Sequence, residues 1–460
     1  MIKEYRTIRQ LSGTLLTVDR VTGVTCGELG ELLLPDGGIR RCRIQEITGE
    51  TAVVELLESS TGIHPSRCKI RFLGDPLRLA VSEDMLGRVF NGLGDPIDGA
   101  PAILPEAYRD IGAISINPIA RDYPARPIRT GLSAVDGLTP LCLGQTLTIC
   151  SSPGLPHGQL VSQIFRQATL ADGDGERFAV VFAAVGVSFD EADFFLQELR
   201  RAGAAARTVS FLSPAGDPAG ARATAFQMAL TAAEYLAFER DMQVLVLLTD
   251  LAGYAEALGE TNSVAGELPI RISSGFASLC ERAGCRADRR GSITLLSLLT
   301  LPEDDRSSPV RELAGCAADG RLVLSQELHR AGIDPPVDAL ASRSHVTGWK
   351  SPLDGTQADR AAAVSQLLEA YATGWERRNL MHTLGEGALT QTELPFVHFA
   401  DAFERRYIAQ NSNEPRSSEQ TERLGWELLS LLPRHELKRL TPEQLKRIPD
   451  GSQESALHSK

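Results

Sequence analysis

The residues spaced for chemistry gather after the short apolar run Leu147 to Cys150. That run enters Ser151-Ser152-Pro153-Gly154-Leu155-Pro156-His157-Gly158, and a helical pattern follows. Strand, loop and helix in that order form the topology of a phosphate-binding loop. Such a loop needs glycines so that backbone amides can close around phosphates. It needs a Lys to reach the β and γ phosphates, and a Ser or Thr hydroxyl on Mg²⁺. Laid on G-x-x-x-x-G-K-[ST], the segment has Ser151 and Pro156 at the glycines, His157 at the lysine and Gly158 at the hydroxyl. Pro153 and Pro156 also remove two N–H donors. A neutral imidazole does not replace an ammonium beside a transferring phosphoryl group. A second apolar run, Val244 to Leu248, ends in Thr249-Asp250. An Asp at a strand end is where such sites hold Mg²⁺, and it is equally a residue that binds its own neighbouring backbone. Gly154, Leu155, Pro156, His157 and Asp250 are thus the candidate nucleotide-contacting residues.

Three kinds of chain position these residues. Residues 1–75 read as a small β-barrel: Gly13 to Val18, Glu28 to Leu34, Ile39 to Ile47 and Thr51 to Leu57 are short β-rich runs, with turn signals at Pro35-Asp36-Gly37-Gly38 and Thr48-Gly49-Glu50. Residues 76–354 alternate. Leu147 to Cys150, Phe178 to Val185, Thr208 to Leu212, Val244 to Leu248 and Ile293 to Leu299 read as strands. Gln159 to Leu170, Phe189 to Gly203 and Ala221 to Glu239 read as helices. That alternation predicts a parallel sheet with helices packed on it. Residues 355–460 are helical, with stripes at Val364, Leu367, Leu368 and Tyr371, at Phe399, Phe403 and Tyr407, and at Leu424, Leu428, Leu431 and Leu432, followed by a frayed tail. The fold class is multidomain α/β: an N-terminal β-barrel, a central P-loop-type domain and a C-terminal helical domain.

Composition narrows the function. With 43% hydrophobic and 23% charged residues over 460 positions, the chain is globular. Its net charge of −12 and 5% aromatic content argue against a nucleic-acid partner, which would call for a basic channel and stacking aromatics. No apolar stretch approaches the ~18 residues of a spanning helix, so work at a membrane means docking on something that spans. The eight cysteines include no C-x-x-C pair and read as inert thiols rather than metal ligands.

Longer strings carry a family resemblance. Ser82-Glu83-Asp84-Met85-Leu86-Gly87-Arg88-Val89-Phe90-Asn91-Gly92-Leu93-Gly94-Asp95-Pro96-Ile97-Asp98-Gly99 is one. Ile116-Asn117-Pro118 with Ala120-Arg121-Asp122-Tyr123-Pro124, then Gly154-Leu155-Pro156-His157, Glu327-Leu328-His329-Arg330 and Gly425-Trp426-Glu427-Leu428-Leu429-Ser430-Leu431-Leu432-Pro433 complete the set. From about Tyr5 to about Leu440 the chain resembles the B subunit (beta chain) of V-type and A-type ATP synthases. The resemblance implies a non-catalytic, regulatory subunit of a rotary head, supporting ATP synthesis or hydrolysis coupled to proton or sodium transport. It implies an A3B3 hexamer with a catalytic A subunit, central and peripheral stalk subunits, and indirect contact with a membrane sector from the cytoplasmic side. ATP or ADP would sit at a non-catalytic site, with no tightly bound metal. The position of the water-orienting Glu of catalytic relatives falls on Val187, which cannot polarise water.

The sequence departs from that family in three places. The loop reads Ser151-Ser152-Pro153 before and Gly158-Gln159 after the motif, where Ser-Gly-Ser and Asn-Glu are usual. The Arg that reaches into the neighbour's catalytic site aligns with His345, with Arg343 two residues earlier, so both are candidates for the interface with the catalytic subunit. The stretch after Glu267 is shortened to Leu268-Pro269-Ile270-Arg271-Ile272-Ser273-Ser274-Gly275-Phe276. The alternative reading, a self-sufficient P-loop ATPase such as a hexameric secretion motor, would require Lys at position 157.

Overall fold

The structure is a computed structural model that describes residues 3–112, 115–123, 126–170, 176–201, 203–261, 268–301, 318–344, 357–385, 387 and 389–449. The chain divides into two compact units. One holds Met1–Tyr123, Gly144–Thr148 and Gly175–Ala318; the other holds Pro124–Leu143, Ile149–Asp174 and Asp319–Lys460.

The first unit begins with seven strands: β1 (Lys3–Tyr5), β2 (Ile8–Ser12), β3 (Leu15–Val18), β4 (Glu28–Leu33), β5 (Ile39–Thr48), β6 (Thr51–Leu56) and β7 (Lys69–Pro76). They pair antiparallel in the order β1-β7-β4-β5-β6-β3-β2. Alternation along β4 and β6 sends Leu32, Val54 and Leu56 into a core with Leu16 and Ile44. The broken alternation of β5 has a structural cause: its register with β6 shifts between Ile44 and Glu46, as a bulge does. Gly37 and Gly49 make the turns at φ +89 and +64, where only glycine is unstrained.

The α/β part carries β8 (Val89–Asn91), β9 (Thr146–Ser151), α1 (His157–Gln167), β10 (Phe178–Val185), α2 (Phe189–Arg201), β11 (Thr208–Ser213), α3 (Ala219–Glu234), β12 (Gln243–Thr249), α4 (Leu251–Glu260), α5 (Leu268–Arg282) and β13 (Ser292–Thr300). Within the first unit β8, β11, β10, β12 and β13 lie side by side, all parallel. The start of β9 flanks β13, where Leu295 N donates to Gln145 O at 2.9 Å. These strands are buried on both faces, which is why they read as continuous apolar runs. The Ala-rich α3 is apolar all round because it is buried all round.

The second unit takes the end of β9, α1, the strands β14 (Gly320–Val323) and β15 (Arg343–Ser344), and the helices α6 (Gln357–Leu384), α7 (Leu394–Ala402) and α8 (Ser418–Leu429). The chain after β14 lies against β9 through Leu324 N to Cys150 O at 2.9 Å. The predicted aromatic stripe is the helical core: Phe399, Phe403 and Tyr407 stack in series, and Tyr371 of α6 meets Phe403 at 4.8 Å between ring centroids. Helix α1 starts at His157 and stops at Gln167, short of the expected Leu170. Thr169 and Leu170 instead pair antiparallel with Arg129 and Ile128. Strand partners at that point replace the last helical turn.

Helix α6 packs closely on α7 at Gly374. A Cβ there would lie 2.1 Å from the Phe396 carbonyl oxygen, a backbone atom that cannot swing aside. Gly259 in α4 faces only the Leu268 side chain at 3.5 Å. Gly374→Ala is expected to destabilise the helical unit by on the order of 2–3 kcal/mol. Gly259→Ala should be neutral or slightly stabilising, because alanine favours helix. Thermal unfolding of the two variants checks the contrast.

Candidate functional site

The loop after β9 is a compact turn. Gly154 takes φ +86, and Leu155 N donates to Ser152 O at 3.2 Å while His157 N donates to Leu155 O at 2.8 Å. The side chain of Leu155 is turned inward and only 5% exposed. Ser151 Oγ and His157 Nδ1 meet at 3.2 Å across the loop. Gly154, Leu155, Pro156 and His157 are thus together, as the sequence places them. Gly158 and Gln159 follow His157 in the first turn of α1, and the lysine position holds an imidazole. A phosphate at this turn would meet main-chain amides and hydroxyls but no ammonium.

Asp250 and Val187 lie in the first unit. Val187 is buried, 7% exposed, and its carbonyl accepts from Ala215 N at 3.0 Å. Glu191, in the first turn of α2, accepts from Ser188 N and Ser188 Oγ, both at 3.1 Å. Asp250 follows β12 and caps α4: its Oδ1 accepts from Ala252 N at 3.0 Å and from Thr300 N at 3.1 Å, and Oδ2 from Thr300 N at 3.2 Å. Both oxygens therefore serve local main chain. Burial pushes its carboxyl up to about 6, the backbone donors hold it down, and the negative charge of Glu191 adds to the rise. The backbone here is crowded. A Cβ on Gly253 would lie 2.7 Å from Val185 O, and one on Gly186, at φ +68, would lie 2.7 Å from Gly253 Cα. Arg343 is exposed on β15, opposite Arg321. His345 and Cys316 lie outside the described residues. Among the described residues no group of three His, Cys, Asp or Glu side chains could hold a metal ion, and no helix is long and apolar enough to cross a membrane.

Sequence reasoning missed the surroundings of α1. A cavity of about 490 Å³ is lined by Pro156, Gln159 and Gln163 on the loop side and by Arg405, Asn411 and Arg416 opposite. The segment 409–416 ties this region together. Arg166 Nη2 donates to Ser412 O at 2.9 Å. Gln410 Oε1 accepts from Ser133 N at 3.0 Å, and its Nε2 donates to Gly131 O and Glu414 O at 2.5 and 2.7 Å. The Arg416 guanidinium donates to Ser133 Oγ and to the carbonyls of Arg406, Tyr407 and Ala409. In the same cluster buried Asp136 accepts from Thr130 N, Thr130 Oγ and Gly131 N, and burial pushes its carboxyl up to about 6. The only sequence signal was a polar run, Gln410-Asn411-Ser412-Asn413, between two helical patterns.

With this geometry in place, comparison with known proteins is specific. Residues 131–344 match the ATP synthase alpha/beta family, nucleotide-binding domain. Residues 8–74 match the beta-barrel domain of that family, and residues 354–449 match the C-terminal domain of V and A type ATP synthase. The chain is similar to a unique ATP synthase subunit, NeqB, from Nanoarcheaum equitans. The two share 31% identity with a TM-score of 0.71, over 93% of this chain and 100% of that one. It also shares its fold with the assembled ATPase EscN of the enteropathogenic E. coli type III secretion system, at 22% identity and a TM-score of 0.80, over 92% of this chain and 99% of that one.

The raised carboxyl of Asp250 makes folding depend on pH. The folded group keeps its proton up to about pH 6, whereas an unfolded Asp releases it near 3.8. Its contribution to folding is therefore greatest below that lower value and is lost as pH rises through 6. Asp250→Asn keeps Oδ1 as an acceptor and removes the titration. From pH 4 to pH 7 the wild type should lose on the order of 2–3 kcal/mol relative to this variant. Unfolding curves across that range check it; parallel curves for the two proteins would contradict it.

Proposed function

The chain belongs to the ATP synthase alpha/beta family and carries the C-terminal domain of V and A type ATP synthases; from that premise we propose that it is the non-catalytic, regulatory B subunit of a rotary head. In this role it alternates with a catalytic A subunit in an A3B3 ring on the cytoplasmic face of a membrane. Stalk subunits link the ring to a membrane sector that carries protons or sodium during ATP synthesis or hydrolysis. ATP or ADP is the ligand class that its own degenerate site would take with the loop open. The observation that carries the reading is the loop itself: its lysine position is His157, bonded back to Ser151, and its hydroxyl position is Gly158. Phosphoryl transfer depends on positioning and on charge placed around the transferring group, and this loop supplies no cation. The buried, apolar Val187 supports the same reading, because it puts no carboxylate at the position that orients water in catalytic relatives.

The purified chain should hydrolyse ATP at background rate. Steady turnover that Asp250→Asn abolishes would overturn the non-catalytic reading. We further propose that exposed Arg343 is the cation this subunit offers to its neighbour's site, since a guanidinium stays charged and binds phosphate in a fork. In the assembled complex Arg343→Ala should cut ATPase turnover by roughly 10³-fold or more, the scale of such trans-acting arginines. His345→Ala should have the smaller effect; the reverse order would assign the role to His345.

A further inference from the structure

The loop's own bonds have a consequence for ligand binding. Between Ser151 and His157, two positions are prolines without an N–H, and the amides of Leu155 and His157 are spent on carbonyls inside the turn. The side chains at the two ends, Ser151 Oγ and His157 Nδ1, close the turn at 3.2 Å. Gly154 sits at the outward tip, with open space where a Cβ would be, while Leu155 is turned inward and buried. A phosphate cradle needs the opposite arrangement, with amides converging on the loop centre rather than bonded to the turn's own carbonyls. We propose that Ser151, Pro153, Leu155, Pro156 and His157 form a latch that holds the loop closed on itself, so that the chain binds nucleoside di- or triphosphates there only after the latch is opened. The prolines fix φ on both sides of Gly154 and Leu155, so the closed turn is set by the chain and needs no anion to order it. The proposal rests on reading this segment as the family's nucleotide loop, and it concerns binding, whereas that reading is tested by turnover.

The test is equilibrium binding of ADP and of a fluorescent ATP analogue with Mg²⁺ to the full chain. Wild type should show no saturation up to about 1 mM. His157→Lys alone should bind no better, because the prolines and the amides bonded inside the turn remain. The combined variant Pro153→Gly, Pro156→Gly, His157→Lys and Gly158→Thr should gain at least about 100-fold, reaching a Kd near 10 μM. Wild-type binding that saturates below about 1 mM would overturn the latch. So would His157→Lys binding as tightly as the combined variant, or a folded combined variant that binds nothing. Ser151→Ala gives an independent readout if the combined variant does not fold. Exchange of the Leu155 and His157 amide hydrogens should accelerate at least about tenfold, and unchanged exchange would overturn the proposal. Binding without turnover would remove the latch and leave the non-catalytic reading standing.

Discussion

The hydrogen bond between Ser151 Oγ and His157 Nδ1 decides what the end of β9 can do. In a working phosphate loop the residue at the start of the helix is a cation that reaches outward to the anion. Here that residue is an imidazole that reaches back to the strand it came from. Once it does so, the turn between strand and helix is closed by its own bonds, with an apolar side chain buried and a glycine at its tip. The strand and helix keep their places without a ligand. The scaffold of a phosphate site can therefore persist in a chain whose loop supplies no charge.

The same economy appears at the other candidate position. Asp250 stands where a metal-binding carboxylate would follow an apolar strand, yet its oxygens are engaged by the first turn of α4 and by the end of β13. Around it, Gly186 and Gly253 bring two backbones into contact with no room for a side chain. A half-buried carboxylate held by main-chain donors ties the ends of two central strands together. In the second unit, the segment 409–416 plays a comparable part for α1 and the turn at 130–136, using side-chain amides and a guanidinium bonded to carbonyls. Both regions use polar groups to hold backbone in place, and in both the polar atoms are turned toward the protein.

Much of this was legible in the sequence because it is local. The parallel strands are continuous apolar runs, α3 is rich in alanine, and the aromatic stripe at Phe399, Phe403 and Tyr407 has helical spacing. The chemistry of the loop was legible too, since prolines and a missing lysine are read directly. What was not legible depends on distant partners. Gln410 and Arg416 look like loop residues until they are seen bonded to Gly131 and Ser133, far away in the chain. Strand β7 and the pairing of Thr169 and Leu170 escaped notice because short mixed segments carry little periodicity. Asp250 allowed two readings in sequence, because one of its main-chain partners, Thr300, is 50 residues away in the chain.

The central claim is that this chain supplies structure and a trans-acting charge but performs no phosphoryl transfer. The most direct test is ATPase turnover of the complex assembled from this chain and a catalytic partner whose own loop lysine has been replaced by alanine. The account predicts that turnover falls to background, because this chain's loop holds His157 in place of a lysine and cannot sustain hydrolysis alone. Turnover that survives the partner's lost lysine, and then disappears when His157 or Asp250 of this chain is substituted, would contradict it.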